Sequence, residues 1–245
     1  EGIFENCDYL INVTLNKTIK SIPVNTFKDC DLLKYIEIPK QITMIESGAF
    51  MNSGIENIVF DQDSSLSCIS DSAFHFSNIK NIVIPKSCEI IGPSAFRQCQ
   101  YLESISFEDG SNLLTIGNYA FAETYLLKRI SIPNSVNFID IYAFSNSSIE
   151  SINLPNNIGF ISSYLFSNCR NLKNIEIPDS VTEIGIGAFS GCSSLESINL
   201  PSSLTTIDRF AFSGCTSLNQ IIISNSVEYI LEEAFSYSGL VDITI

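Results

Sequence analysis

Cysteine and histidine are the residues of this chain with the widest chemistry, because they build zinc sites and nucleophilic catalytic pairs. The chain has eight cysteines but one histidine, His75, and no two cysteines are spaced as Cys-x-x-Cys. Any zinc site of the usual kind, or any nucleophile with a histidine base, would therefore depend on His75 alone. His75 directly follows Phe74 on a predicted outer turn. We expect an exposed turn residue there, and predict no enzyme, no bound metal and no cofactor.

Most of the cysteines recur at one spacing, three residues after a phenylalanine. They are Cys7, Cys30, Cys99, Cys169, Cys192 and Cys215. A buried free cysteine packs as a small apolar side chain, so this spacing predicts a ladder within a core. Neighbouring rungs would lie about 5 Å apart at strand spacing, within bridging distance, but their parallel side chains would strain a disulfide. Cys68 and Cys88 lie outside the ladder. Cys88 matches the inward position of Val181, whereas Cys68 matches the position of Glu183 and is the candidate reactive thiol.

Two acidic stretches, residues 61–65 and 108–112, carry the oxygen ligands that calcium prefers. The first begins like a calcium-binding loop, but it has no glycine at its sixth position and places Ser72 where a bidentate glutamate belongs. Both stretches are therefore predicted to be solvated turns. The alternative is a weak calcium contact from Asp61, Asp63, Glu108 and Asp109.

The positions of these residues follow an internal repeat. Phenylalanine recurs every 22 to 25 residues, at Phe4, Phe27, Phe50, Phe74, Phe96, Phe121, Phe144, Phe166, Phe189, Phe212 and Phe235. A fixed period in this range is typical of a solenoid. In each copy three apolar residues follow with the spacing of Leu-x-x-Ile-x-Ile, and the alternation at the end of this pattern predicts a short strand with one buried face. Proline closes this strand in many copies, where a missing N–H helps to end strand pairing.

Stacking these copies predicts one solenoid domain over residues 1–245, of the α/β class, with about 10–11 coils of ~23 residues. The strands would form a parallel sheet on one side. A single helical or 3₁₀ turn around each phenylalanine would lie opposite, with the rings stacked inside. Because the chain starts and stops within a repeat, we expect a segment of a longer protein. We also expect a monomer, or weak self-association through terminal strand edges near Val13 and Ile243.

The charge and hydropathy of the chain argue against two classes of partner. The net charge is -14, with only 13 lysines and arginines, so the basic stripe that binds nucleic acid is missing. No run of apolar residues approaches the ~18 needed to cross a bilayer. We therefore predict no nucleic-acid partner and no direct membrane insertion of this segment.

The repeat unit is similar to that of the BspA-like leucine-rich repeats, which share the order Ile-x-x-x-x-Phe-x-x-Cys-x-x-Leu-x-x-Ile-x-Ile-Pro. Residues 181–201, VTEIGIGAFSGCSSLESINLP, carry this order, and the likeness extends over essentially the whole chain. Thr124 at the cysteine position and Ser224 at the proline position are departures. The resemblance implies a right-handed solenoid. It also implies a surface or secreted protein linked to adhesion and to the binding of host proteins.

The outward positions of the predicted sheet are the candidate binding surface. They flank the buried isoleucine of each strand, and those expected to contact a partner are Tyr35, Glu37, Val59, Val83, Arg129, Asn153, Glu176 and Asn199. Tyr35, Val59 and Val83 fall on consecutive coils and would form an apolar strip. We predict a non-enzymatic adhesion module that binds an extracellular or host protein. The alternatives are a glycan-binding module, favoured by the polar Asn and Ser positions, and a structural stalk.

Overall fold

The computed structural model describes residues 1–244, which form twenty short β-strands joined by turns. The narrow strands have two residues each and end at the isoleucine five residues before a phenylalanine. They are β1 (Ser21–Ile22), β3 (Met44–Ile45), β5 (Cys68–Ile69), β7 (Ile90–Ile91), β9 (Thr115–Ile116), β11 (Phe138–Ile139), β13 (Phe160–Ile161), β15 (Glu183–Ile184), β17 (Thr206–Ile207) and β19 (Tyr229–Ile230). The broad strands have three or four residues each. They are β2 (Tyr35–Ile38), β4 (Asn57–Phe60), β6 (Asn81–Ile84), β8 (Ser104–Phe107), β10 (Arg129–Ser131), β12 (Ser151–Asn153), β14 (Asn174–Glu176), β16 (Ser197–Asn199), β18 (Gln220–Ile222) and β20 (Asp242–Thr244).

All strand pairs are parallel, and each strand pairs with the equivalent strand of a neighbouring coil. The narrow strands are ordered β1-β3-β5-β7-β9-β11 and β13-β15-β17-β19, and the broad strands β2-β4-β6-β8, β10-β12, β14-β16 and β18-β20. Equivalent residues are in register, so that Ile22 pairs with Ile45, and Ile36 with Ile58. Each repeat position therefore forms a row of side chains along the solenoid. We call the outward side of the broad strands the broad face, and that of the narrow strands the narrow face.

The sequence predicts the broad strands but not the narrow ones. A two-residue strand presents one inward isoleucine and one outward residue, which is too short for an alternating pattern to be recognised. The terminal edge expected near Val13 is also wrong, because Val13 lies outside any strand and β2 is the first broad strand of the described residues.

The segment around each phenylalanine, which we call the turn side, is not helical, so the predicted helical or 3₁₀ turns and the α/β class are wrong for residues 1–244. Two residues before and after Phe50, Gly48 and Asn52 have φ values of 64° and 51°. The same two positions are left-handed in every coil, and a left-handed residue ends a right-handed helical turn. The freed N–H groups bond to the next coil instead: Phe50 N donates to Ala73 O at 2.7 Å.

One hydrophobic core runs through the coils, and its centre is the stacked row of phenylalanines. Nine of them, from Phe27 to Phe212, are at most 1% exposed. Consecutive ring centroids lie between 5.1 and 5.8 Å apart with nearly parallel planes. The isoleucines of both kinds of strand pack against this row. The predicted stacking of the rings is confirmed.

The cysteine ladder is a packing feature with a hydrogen bond of its own. All eight cysteines are free, and five of the six ladder positions are fully buried. Each of those five thiols donates to the carbonyl oxygen of the phenylalanine in the preceding coil, as from Cys99 to Phe74 O at 2.9 Å. Burial raises the pKa of the Cys99 and Cys169 thiols to about 12. These thiols therefore stay protonated and unreactive in the folded protein.

Candidate partner-binding surface

The broad face places all eight predicted partner residues on one side of the solenoid. The broad strands from β2 to β18 bury their central isoleucine and turn the residue on either side outward, as Ile36 is buried between Tyr35 and Glu37. In β20 the isoleucine, Ile243, is itself 44% exposed. All eight predicted residues are exposed. Seven of them fall in two zones at different heights along the solenoid, and Arg129 lies outside both.

The first zone is the apolar strip of Tyr35, Val59 and Val83, with exposed fractions of 46%, 49% and 52%. Glu37 pairs in register with Val59 and so borders the strip directly. The Tyr35 hydroxyl donates to Glu37 Oε1 at 2.8 Å, and this hydrogen bond to a carboxylate raises the pKa of Tyr35. This hydrogen bond links the Tyr35 ring to Glu37, the residue in register with Val59.

The second zone is a polar groove of about 810 Å³ that crosses β10 to β16. Asn153, Glu176 and Asn199 line it from one repeat position of successive broad strands. Ser131, in register with Asn153, continues the row at one end. Arg129 stands in the other row of the broad face and does not line the groove. The structure thus brings three of the eight residues together in the groove.

A row of alternating charges, which we call the charge ladder, borders the broad face and was missed in the sequence. It occupies the position just before each of the broad strands from β2 to β16, in the order Lys34, Glu56, Lys80, Glu103, Lys128, Glu150, Lys173 and Glu196. Lys80 Nζ lies 2.6 Å from Glu56 Oε2, and Lys128 Nζ lies 3.3 Å from Glu150 Oε1. The hydrogen bond from Lys80 lowers the pKa of Glu56. In-register stacking brings equivalent residues of adjacent coils together, so a row of like charges would be repulsive. The alternation of lysine and glutamate makes each neighbouring pair attractive instead.

The turn side holds a second network that was missed, and His75 belongs to it. His75 lies on a turn, as predicted, but it is half-buried rather than exposed, with Nε2 3.0 Å from Gln98 Oε1. Gln98 Nε2 donates to Glu123 Oε2 at 2.8 Å, and Arg97 binds Glu123 Oε1 at 2.9 Å. The Arg97 guanidinium also lies 4.9 Å from the ring centre of Tyr119. The hydrogen-bond partner of the His75 imidazole is the Gln98 amide, which holds the ring in place. A histidine that activates a nucleophile would instead contact a hydroxyl or a thiol.

The acidic stretches use their carboxylates to bind backbone amides of the preceding coil. Lys40 N donates to Asp61 Oδ2 at 3.3 Å, and Lys86 N donates to Glu108 Oε2 at 2.9 Å. Within residues 1–244 no three His, Cys, Asp or Glu side chains are grouped so as to hold a metal ion. The calcium alternative, which also involved Asp63 and Asp109, gains no support from this geometry.

Of the two cysteines outside the ladder, Cys88 is fully buried, and burial raises its pKa to about 12. Cys68 is half-buried in β5, on the outward side of the narrow strands, with Sγ 3.6 Å from Ser70 Oγ. Cys68 remains the candidate reactive thiol.

These features define the class of the protein: a parallel β-solenoid of about ten coils of about 23 residues, of the leucine-rich-repeat type. The model of the BspA type leucine rich repeat region matches six copies, over residues 1–74, 67–158 and 137–245. The chain therefore belongs to the BspA-type leucine-rich-repeat family. No curated protein sequence matches it.

Several solved structures share this fold. The pneumococcal vaccine antigen PcpA is 28% identical over 86% of this chain, with a TM-score of 0.62, and this chain spans 63% of that antigen. The leucine-rich-repeat protein TpLRR of T. pallidum is 26% identical over 71% of this chain and 78% of its own, with a TM-score of 0.55. A leucine-rich-repeat protein from Bacteroides ovatus is 25% identical over 92% of this chain and 70% of its own, with a TM-score of 0.50. Within residues 1–244 there is no helix long and apolar enough to cross a membrane.

Proposed function

We propose that this chain is a non-enzymatic protein-binding module of a cell-surface or secreted protein, and that the broad face binds an extracellular or host protein. The observation that carries the proposal is the exposure of all eight candidate residues on one side of the solenoid, on broad strands that pair in parallel with their neighbours. Solenoids of this kind commonly bind partners over an extended face. Membership of a family whose solved relatives include a bacterial vaccine antigen supports the cellular location.

The apolar strip is the expected centre of the interface. Interfaces draw most of their binding energy from a few buried anchors, with tyrosine among the favoured types. Tyr35 is already held by Glu37, so burying its ring costs little conformational entropy. Val59 and Val83 extend the same surface along two more coils. The charge ladder at the border would supply a polar rim.

A saccharide is the second candidate for the broad face, because the groove beside Asn153, Glu176 and Asn199 is lined mainly by polar side chains. Amides and carboxylates can donate to and accept from hydroxyl groups. This candidate uses the second zone of the broad face and leaves the apolar strip free.

The test is capture of proteins from extracellular-matrix and plasma fractions by the immobilised chain. A Tyr35→Ala/Val59→Ser/Val83→Ser variant should lose a captured protein while keeping the wild-type circular dichroism spectrum. The matched control is Met44→Ala/Ile90→Ser/Phe160→Ser, which removes narrow-face side chains that are 37%, 43% and 45% exposed. Equal loss in both variants, or no capture by the wild type, contradicts the proposal. If the wild type captures no protein but binds to a glycan array, and Asn153→Ala/Asn199→Ala abolishes that binding, the saccharide is favoured.

A further inference from the structure

The corner between the turn side and the broad face is one residue shorter in the Phe144 coil than in the coils on either side. From the cysteine position to the next buried apolar residue, the chain advances three residues in the flanking coils, from Thr124 to Leu127 and from Cys169 to Leu172. In the Phe144 coil it advances two, from Ser147 to Ile149. This shortening leaves a notch one coil wide.

The short corner is held tightly against its neighbours. Ser148 N donates to Thr124 O of the preceding coil at 3.1 Å, and the buried Ser147 Oγ lies 3.4 Å from Cys169 Sγ of the following coil. With the backbone drawn in, a cleft of about 560 Å³ opens between the two longer corners. The cleft is an open depression of the surface and is lined mainly by polar atoms.

The cleft combines an aromatic ring, a cation and amides. The longer corner of the preceding coil contributes Tyr125, which is 49% exposed, and that of the following coil contributes Arg170 and Asn171. Asn146 lines the cleft from the short coil itself, and like Arg170 and Asn171 it is exposed. Glu123 is the acidic residue of the lining.

The charges of the lining are not equivalent. Glu123 is already compensated, because Arg97 binds one of its oxygens at 2.9 Å and Gln98 the other at 2.8 Å. Arg170 forms no ion pair with any side chain of residues 1–244. The cleft therefore offers an unpaired guanidinium, in a protein whose net charge is -14. A guanidinium binds a carboxylate through two parallel hydrogen bonds.

We propose that this corner cleft binds a saccharide unit that carries a carboxylate, such as a uronate or a sialate. The sugar ring would pack its C–H face on the Tyr125 ring, whose face is the negative side of the aromatic quadrupole. Asn146 and Asn171 would exchange hydrogen bonds with ring hydroxyls, since each amide both donates and accepts. Arg170 would bind the carboxylate. The cleft shares no residue with the broad face, so the two proposals stand or fall separately.

The experiment is a titration of the whole chain with saccharides, in which saturation-transfer NMR measures the binding. The probes are sialyllactose against lactose, and a disaccharide ending in glucuronate against the same disaccharide ending in glucose. At least one acid should bind about tenfold or more tightly than its neutral partner, which is the size expected for a charge-assisted hydrogen-bonded pair. The pair of acids distinguishes a sialate from a uronate.

Variants place the binding in the cleft. Arg170→Gln should remove the preference for the acid, and Tyr125→Ala should weaken binding of both members of a pair. Insertion of one serine between Ser148 and Ile149 should fill the notch and abolish binding with both side chains still present. Tyr101→Ala is the matched control, since Tyr101 is also a corner tyrosine, 50% exposed, and lies outside the cleft.

Three results overturn the proposal. The first is the absence of binding of either acid at about 10 mM, where even affinities near 1 mM are detected. The second is equal binding of acid and neutral sugars. The third is a Tyr101→Ala effect as large as that of Tyr125→Ala in a variant with a wild-type circular dichroism spectrum.

Discussion

The turn side and the broad face differ in what their outward side chains contact. On the turn side, the Tyr142 ring stacks between Tyr119 and Tyr164, with centroid distances of 4.7 Å on both sides. On the broad face, Val59 and Val83 leave about half of their surface in solvent. The first region uses its side chains within the molecule. The second leaves them available to a partner.

The backbone shows the same difference. Tyr119, Tyr142 and Tyr164 have φ values of 54°, 59° and 57°, although a left-handed conformation costs an L-residue about 1–2 kcal/mol. Aromatic stacking contributes about 0.5–1.5 kcal/mol per pair, which is of the same order as this strain. The broad strands hold their residues in ordinary extended conformations. Contacts between coils thus offset the backbone strain on the turn side. The broad strands have no such strain to offset.

The largest effect is expected from breaking the phenylalanine row beneath both regions. Phe144→Ala removes a ring that lies 5.4 Å from Phe121 and 5.8 Å from Phe166, and should lower the free energy of unfolding by about 3–5 kcal/mol. Chemical denaturation measures this loss. Hydrogen exchange should speed up in the Phe121 and Phe166 coils as well, because each coil is stabilised by its neighbours. An effect confined to the Phe144 coil would mean that the coils are not coupled in this way.

The second prediction separates stacking from backbone strain on the turn side. Tyr142→Ala loses both stacked neighbours but keeps the left-handed strain, whereas Tyr142→Gly loses the stacking and also the strain. The glycine variant should therefore be more stable than the alanine variant by about 1 kcal/mol, as measured by urea denaturation. Gly187 occupies the equivalent position two coils further on, which shows that glycine is accommodated there. If alanine proves the more stable, the tyrosines are not strained.

The third prediction concerns the charge ladder that borders the broad face. Lys80→Glu would place three carboxylates in succession, with Glu56 and Glu103 on either side, and should destabilise the fold more than Lys80→Gln. The difference should shrink in 1 M salt, because exposed charges are screened. Lys17→Glu, at an exposed lysine outside the ladder, is the control. Equal effects of the two glutamate substitutions would show that alternation is unimportant.

The ladder also predicts a pH window. The pKa of Glu56 is lowered from its ordinary value of 4.5, chiefly by the hydrogen bond from Lys80, so its contribution is present above about pH 4.5 and is lost as the pH falls. The pKa of Lys80 is raised from 10.5 by the same bond, so its contribution is present below that pH and is lost as the pH rises. The stability difference between the wild type and Lys80→Gln should therefore be largest between these limits. A difference that persists at pH 2 contradicts the ion pair.

Sequence alone predicts those features that a single repeat displays. The buried phenylalanine row, the broad strands and the outward position of residues such as Glu176 follow from the period and from the alternating Ile-x-Ile pattern. The left-handed turns do not, because residues such as Tyr119 and Glu123 have no intrinsic preference for them. Hydrogen bonds to the neighbouring coil impose that conformation, as from Phe121 N to Ala143 O at 2.8 Å.

Features that arise between coils need a different comparison. The charge ladder becomes visible only when one position is followed from coil to coil, as from Lys34 to Glu56 to Lys80. The short corner at Ser147 is visible in the sequence, but the cleft exists only because both adjacent corners are longer. Comparing equivalent positions of successive coils therefore reveals features that the pattern within a single repeat does not.

The smallest effect on stability is expected from the broad face. Val59→Thr/Val83→Thr keeps β-branched side chains at two half-exposed positions, and should change the free energy of unfolding by no more than about 0.5 kcal/mol per site. The same variant should nevertheless capture less of any protein that binds the apolar strip, because two methyl groups of the contact surface become hydroxyls. Chemical denaturation and capture, measured on the same preparation, check both parts. A loss of more than 2 kcal/mol would show that the broad face stabilises the solenoid as the turn side does, and would remove the contrast between them.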